Sequence, residues 1–197
     1  MSNQRIPLFP LRTVLFPGGP LPLRVFEPRY LDMVSRCMCE ENPFGVLLLL
    51  AGSEVGPART ASLGTLARIT DWYQGSDGIL GITAIGTERF ELIEIDQQHD
   101  GLYVGDISPA RDEPGMTLPA EYQPMAELLQ AILDDLGKLY GDLPRRLDDA
   151  TWVGCRFAEI LPLPVEQKQH CLQLTDPLAR LEFVRPMLRS VRWETTQ

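Results

Sequence analysis

Hydrophobic positions follow two different periods along the chain, and the change from one to the other divides it. Up to Arg111 apolar residues come in short runs broken by Pro and Gly, which is the pattern of strands joined by tight turns. From Leu118 onward they recur at helical spacing. A β-rich unit over residues 1–111 and a helical bundle over 112–197 are therefore expected.

In the first unit, Arg5–Phe9 and Leu21–Val25 read as strands, each carrying a proline that belongs at an edge or bulge. Phe16-Pro17-Gly18-Gly19-Pro20 between them reads as a turn. Pro28 suits the first turn of a helix whose apolar face carries Tyr30, Leu31, Val34, Cys37 and Met38, and Asn42-Pro43 ends it. Phe44–Leu50 then predicts a central strand. Thr65–Tyr73 and Ile79–Ile85 flank a turn at Gln74–Gly78. Gly86-Thr87 reads as an interruption, after which Phe90–Ile95 alternates as a strand with one buried and one wet face. Asp100-Gly101 turns the chain into a last strand, Leu102–Ile107, and Ser108–Gly115 reads as a linker. Many short strands and tight turns imply a mainly antiparallel, curled sheet or small barrel.

In the second unit, Met125, Leu128, Leu129, Ile132, Leu133, Leu136 and Leu139 predict one helix closed by Gly141. Asp149 is placed to cap a helix carrying Val153, Phe157, Ile160 and Leu161, stopped by Pro162 and Pro164. A short helix is expected over Val165–Leu172. Asp176-Pro177 starts the last one, along Leu178, Leu181, Val184, Leu188 and Val191, with Pro186 expected to kink or split it.

Charge narrows the function. A formal net charge of -9 and a pI near 4.7 repel phosphate backbones, because nucleic-acid affinity depends on basic side chains displacing condensed counterions. The opening residues lack a basic stretch followed by a long apolar segment, and Val46–Ala51 is too short to span a bilayer, so neither a secretory signal nor a membrane span is expected. Four scattered cysteines, two of them a Cys37-x-Cys39 pair on one helix, suit reduced thiols in a cytoplasmic protein better than a disulfide framework.

Several spaced segments resemble one family in order. Ile6-Pro7-Leu8-Phe9-Pro10-Leu11, Val14-Leu15-Phe16-Pro17-Gly18 and Phe26-Glu27-Pro28-Arg29-Tyr30 resemble the opening of the Lon protease N-terminal domain. Phe44-Gly45-Val46, Gly64-Thr65-Leu66-Ala67, Asp77-Gly78 and Gly86-Thr87-Glu88-Arg89-Phe90 continue the likeness. Phe157–Leu161, Lys168-Gln169 and Arg180-Leu181 resemble its helical part. The resemblance implies an α+β fold, a PUA-like pseudo-barrel of mainly antiparallel strands with one early helix, followed by a C-terminal helical bundle. It also implies recognition of unfolded or tagged polypeptides, in a stand-alone bacterial member without the ATPase and peptidase of Lon.

Catalytic patterns fail on spacing. A phosphate-binding loop needs Gly-x-x-x-x-Gly-Lys followed by Ser or Thr, and neither lysine, Lys138 nor Lys168, stands in one. Both sit in helical patterns where a solvated amine is expected rather than the desolvated lysine of a Ser-Lys dyad. His170 and Cys171 are helix neighbours and diverge, and a zinc site would need a set as unusual as Cys37, Cys39 and His99. Asp148-Asp149 reads as capping acid. The expectation is no cofactor, no metal and no enzymatic activity.

A polypeptide receptor needs apolar pockets or an open sheet edge. Phe16 and Pro17 in their turn, and Trp72 and Tyr73 beside the hairpin turn, are candidate peptide-binding residues, although core plugs are the plainer reading of both. Arg29 and Arg89 carry guanidinium forks that could hold a peptide carboxylate. Structural pairing, Arg29 with Glu27 or Glu88, is the plainer reading there. An RNA-binding PUA-like module is the alternative function, and the acidic charge weighs against it.

Overall fold

The structure, a computed structural model, describes residues 4–51, 59–113, 115–141 and 143–190. It divides into two compact units, Met1–Arg111 and Asp112–Gln197.

The first unit contains β1 (Gln4–Leu11), β2 (Pro20–Val25), α1 (Pro28–Glu40), β3 (Phe44–Ala51), β4 (Arg59–Thr60), β5 (Leu63–Gln74), β6 (Leu80–Gln97) and β7 (Tyr103–Pro109). Hydrogen-bonded neighbours run β1–β7–β6–β5–β3, and β3 returns to β1 as the one parallel pair among the described strands, so five strands close into a ring. Where the strands pair, closure removes the edges that an open sheet would expose, but β5 runs on past its last β3 partner, Ala67. The parallel pair is made possible by the crossover through β2 and α1. Leu8, Leu47, Phe90, Tyr103 and Ile107 form one core cluster, with Ile6. Its space is limited: a β-carbon on Gly64 would lie 2.4 Å from the Val46 carbonyl oxygen and 2.8 Å from Phe90 Cζ, so the strand carries glycine where the Phe90 ring fills the interior. A second cluster packs Tyr30, Met33, Val34 and Cys37 of α1 against Phe9, Phe44, Ala67 and Ile82.

Two expectations for β6 are corrected. Gly86 does not interrupt it; the strand runs unbroken through eighteen residues. The turn Phe16–Gly19 docks there instead, with Gly18 N–H donating to Gly86 O at 2.7 Å and Gly86 N–H to Gly19 O at 2.9 Å. A β-carbon on Gly86 would sit 2.3 Å from Phe16 O, so glycine marks a close backbone approach. Nor does Phe90–Ile95 keep a single alternation. An irregularity in the β6–β7 register between Leu92 and Glu94 resets the phase, so that Leu92 and Ile95 pack on the core and Ile93 is left exposed. Ser108 and Pro109 belong to β7 rather than to a linker, since they pair with Glu91 and Phe90.

The second unit holds α2 (Gln123–Asp135), α3 (Lys138–Gly141), α4 (Ala150–Ile160), α5 (Val165–Gln173) and α6 (Pro177–Ser190). The expected helix through Leu139 stops earlier: Gly137 takes a left-handed φ of 70°, α3 starts afresh, and Leu136 and Leu139 are exposed. Asp149 caps α4 by accepting from Thr151 N–H and Trp152 N–H. The α6 helix continues through Pro186 without splitting, and Val191 lies outside the described residues. Arg180 is fully buried. Its guanidinium makes a two-pronged pair with Glu113 at 2.7 and 2.6 Å and also donates to the Cys171 and Leu174 carbonyls. Lys168 is not the solvated amine expected from its helical pattern. It is half-buried, donates to Glu159 O at 2.6 Å, and is held below the usual lysine range mainly by burial.

Candidate functional site

A cleft of about 370 Å³ opens in the first unit between the C-terminal end of α1 and the outer half of β5. Local sequence explains why it is there. Register pairs Phe44 with Ala67, so β3 begins opposite Ala67 and accompanies β5 no further toward the hairpin. The α1 helix ends at Glu41, which takes a left-handed φ of 55°, and Asn42-Pro43 leads into β3. One wall is thus the helix end, with Cys37, Met38, Glu41 and Asn42. The other is β5, from Arg68 to Trp72.

The cleft is lined by both apolar and charged side chains. Ile69 is partly buried against the α1 core cluster, while Met38 is 37% and Trp72 58% exposed. Its charged lining side chains are two carboxylates, Glu41 and Asp71, and one guanidinium, Arg68. The Cys37 thiol is pushed up to about 11, chiefly by burial, which makes it an inert wall. Among the described residues, no group of three or more His, Cys, Asp or Glu could hold a metal ion, and no helix is long and apolar enough to cross a membrane.

The candidate residues do not converge on one site. Trp72 and Tyr73 are exposed rather than plugged into a core, and they part company. A register irregularity between Ile69 and Asp71 puts Trp72 on the same face as Ile69, whereas Tyr73 faces a separate shallow hollow with Arg24 and the hairpin turn. Phe16 is fully buried, beneath a turn tied to Gly86, and Pro17 is partly buried. Arg29 is buried against Glu27 at 2.7 Å, donates to Gly101 O at 2.9 Å and lies over the Tyr30 ring. Arg89 is also buried and donates to Arg111 O at 2.8 Å. Met38, Glu41 and Asn42 were not among the candidate binding residues. Only the end of a helix stripe marked Met38, and nothing in the sequence brings it beside Trp72.

A family model described as the ATP-dependent protease La (LON) substrate-binding domain matches residues 5–190. The solved Lon N-terminal domain protein from Xanthomonas campestris shares 38% identity, with a TM-score of 0.75, over 96% of this chain and 99% of its own. Lon protease of Anaeromyxobacter dehalogenans is 25% identical over 195 residues, 95% of this chain and 23% of its own length. Protein cereblon of Gallus gallus is 37% identical over 105 residues, 51% of this chain and 23% of its own length. The chain spans about a quarter of the curated relatives it matches.

Proposed function

The chain belongs to the Lon substrate-binding domain family, and from that premise we propose that it is a non-catalytic, cytoplasmic module that recognises unfolded or tagged polypeptide segments through the α1–β5 cleft. The observation that carries this reading is the exposure of Trp72 and Met38 in one cleft, along a stretch of β5 that pairs with β6 on one side but is not accompanied by β3 on the other. An exposed tryptophan beside a flexible thioether is costly to leave in water and well suited to pack on varied apolar side chains. In this reading Trp72 and Met38 touch the ligand. Phe16, Pro17, Arg29 and Arg89 shape the frame, because their burial and existing partners leave them little to offer. Tyr73 serves the hairpin from its other face. The acidic balance favours basic segments and disfavours RNA.

The test is titration of fluorescently labelled, reduced and carboxyamidomethylated lysozyme, a basic unfolded chain, against the protein and its Trp72→Ala variant. Saturable binding weakened roughly tenfold or more by the substitution is expected, as for an aromatic anchor. Absence of binding, or equal binding by both proteins, would contradict the reading.

A further inference from the structure

The backbone phase of β5 can be read from one bond. Gly75 N–H donates to Ile79 O, and antiparallel ladders alternate between hydrogen-bonded and non-bonded pairs. Counting back, Tyr73–Gly81 and Asp71–Thr83 are bonded pairs, so Trp72 and Gln74 turn their N–H and C=O groups away from β6. They point to the side of β5 that β3, which begins opposite Ala67, does not cover. Trp72 N–H nevertheless has an acceptor: the Asp71 carboxylate takes it at 2.8 Å. A side chain thus stands where a neighbouring strand's carbonyl would be.

Resting on the proposed peptide recognition, we infer that the β5 edge beyond Ala67 accepts an extended, apolar-and-basic polypeptide segment as an added strand, with Asp71 as a removable stopper on that edge. A row of outward main-chain donors and acceptors is matched by another extended main chain. Alternate side chains of that strand would meet Ile69, Met38 and Trp72, which asks for apolar residues at every second position. Docking displaces the Asp71 carboxylate from Trp72 N–H. Two carboxylates, Asp71 and Glu41, then stand against the single guanidinium of Arg68, which favours Lys or Arg on the incoming strand. In the empty state the same carboxylate, together with the register irregularity beside it, blunts the edge against unspecific pairing.

The experiment uses the full chain and labelled ten-residue peptides of alternating Val and Lys. Partner peptides alternate Val and Glu, or carry backbone N-methyl groups on the odd or on the even residues. The Val/Lys peptide should bind roughly tenfold more tightly than Val/Glu at low salt, and at least one N-methylated version should lose roughly tenfold or more. Equal binding by the plain and both methylated peptides would overturn strand addition while leaving peptide recognition standing. No binding of any peptide or of the unfolded lysozyme would remove the recognition reading itself. Sedimentation of the protein alone covers the other occupant: a dimer that the peptide cannot dissociate would assign the edge to a second copy and overturn the inference.

Discussion

Tyr73 lays its ring across Gly81, so closely that a β-carbon on that glycine would fall 2.2 Å from the ring's Cζ. The two residues are cross-strand partners in a bonded pair, and the aromatic covers backbone that glycine leaves bare. Substituting Gly81→Ala should push the ring aside and weaken the β5–β6 hairpin by about 1 kcal/mol, on the scale of a cross-strand pair. Peptide affinity should stay unchanged, since Trp72 faces the other way. Urea denaturation and the lysozyme titration, run on the same variant, check both halves.

Arg180 and Glu113 form a pair with almost no access to water, the arginine side chain being 0% and the glutamate 8% exposed. Removing one partner strands the other charge in the interior. Glu113→Ala should therefore cost about 3–5 kcal/mol of stability in the helical unit. Denaturation followed by the fluorescence of Trp152, which is buried in α4, reads it; a loss below about 1 kcal/mol would contradict the role given to the pair.

For Arg89, burial and its bond to the Arg111 carbonyl assign a structural role. Arg89→Ala should lower stability by about 1–3 kcal/mol, the cost of a buried hydrogen-bonding group left unpaired. Its peptide affinity should match that of the parent protein. A variant of normal stability that no longer binds peptide would return Arg89 to the contact surface.

Asp77 closes the β5–β6 turn by accepting from Ile79 N–H at 3.1 Å, and it pairs with Arg24. The backbone bond first, and then the guanidinium, hold its carboxyl below the ordinary carboxylate range. A depressed folded value means the group contributes to stability above the unfolded aspartate range. That contribution is lost as pH falls through the depressed value. Carbon-detected NMR titration should place Asp77 below an ordinary aspartate, and Arg24→Ala should move it part of the way back. A value at or above the ordinary range would contradict the turn geometry.

Elements were legible where side-chain period and turn chemistry agree. Pro28 and Asn42-Pro43 bracket α1, Asp149 caps α4, and Asp77-Gly78 and Asp100-Gly101 make the turns their composition predicts. Gly86 misled because a glycine that lets another backbone approach looks, in sequence, like one that breaks a strand. Ile93 misled because a one-residue register shift is invisible to an alternation rule. Leu136 and Leu139 extended the helical stripe past a left-handed Gly137 that had already ended it. The cleft was half legible. Trp72 stood out by type, but its setting depends on β3 beginning opposite Ala67 and on α1 ending beside it, and such long-range register has no local signature.

The central claim is that the α1–β5 cleft, and not the turns or the helical unit, meets polypeptide. Amide chemical shifts of the labelled protein, followed as unfolded lysozyme is added, test it most directly. The account predicts perturbations centred on Met38, Glu41, Ile69, Asp71 and Trp72, with the Trp72 amide among the largest because it must exchange its Asp71 acceptor for a new one. Shifts confined to the helical unit or to the Phe16–Gly19 turn, with the Trp72 amide unmoved at saturation, would contradict it.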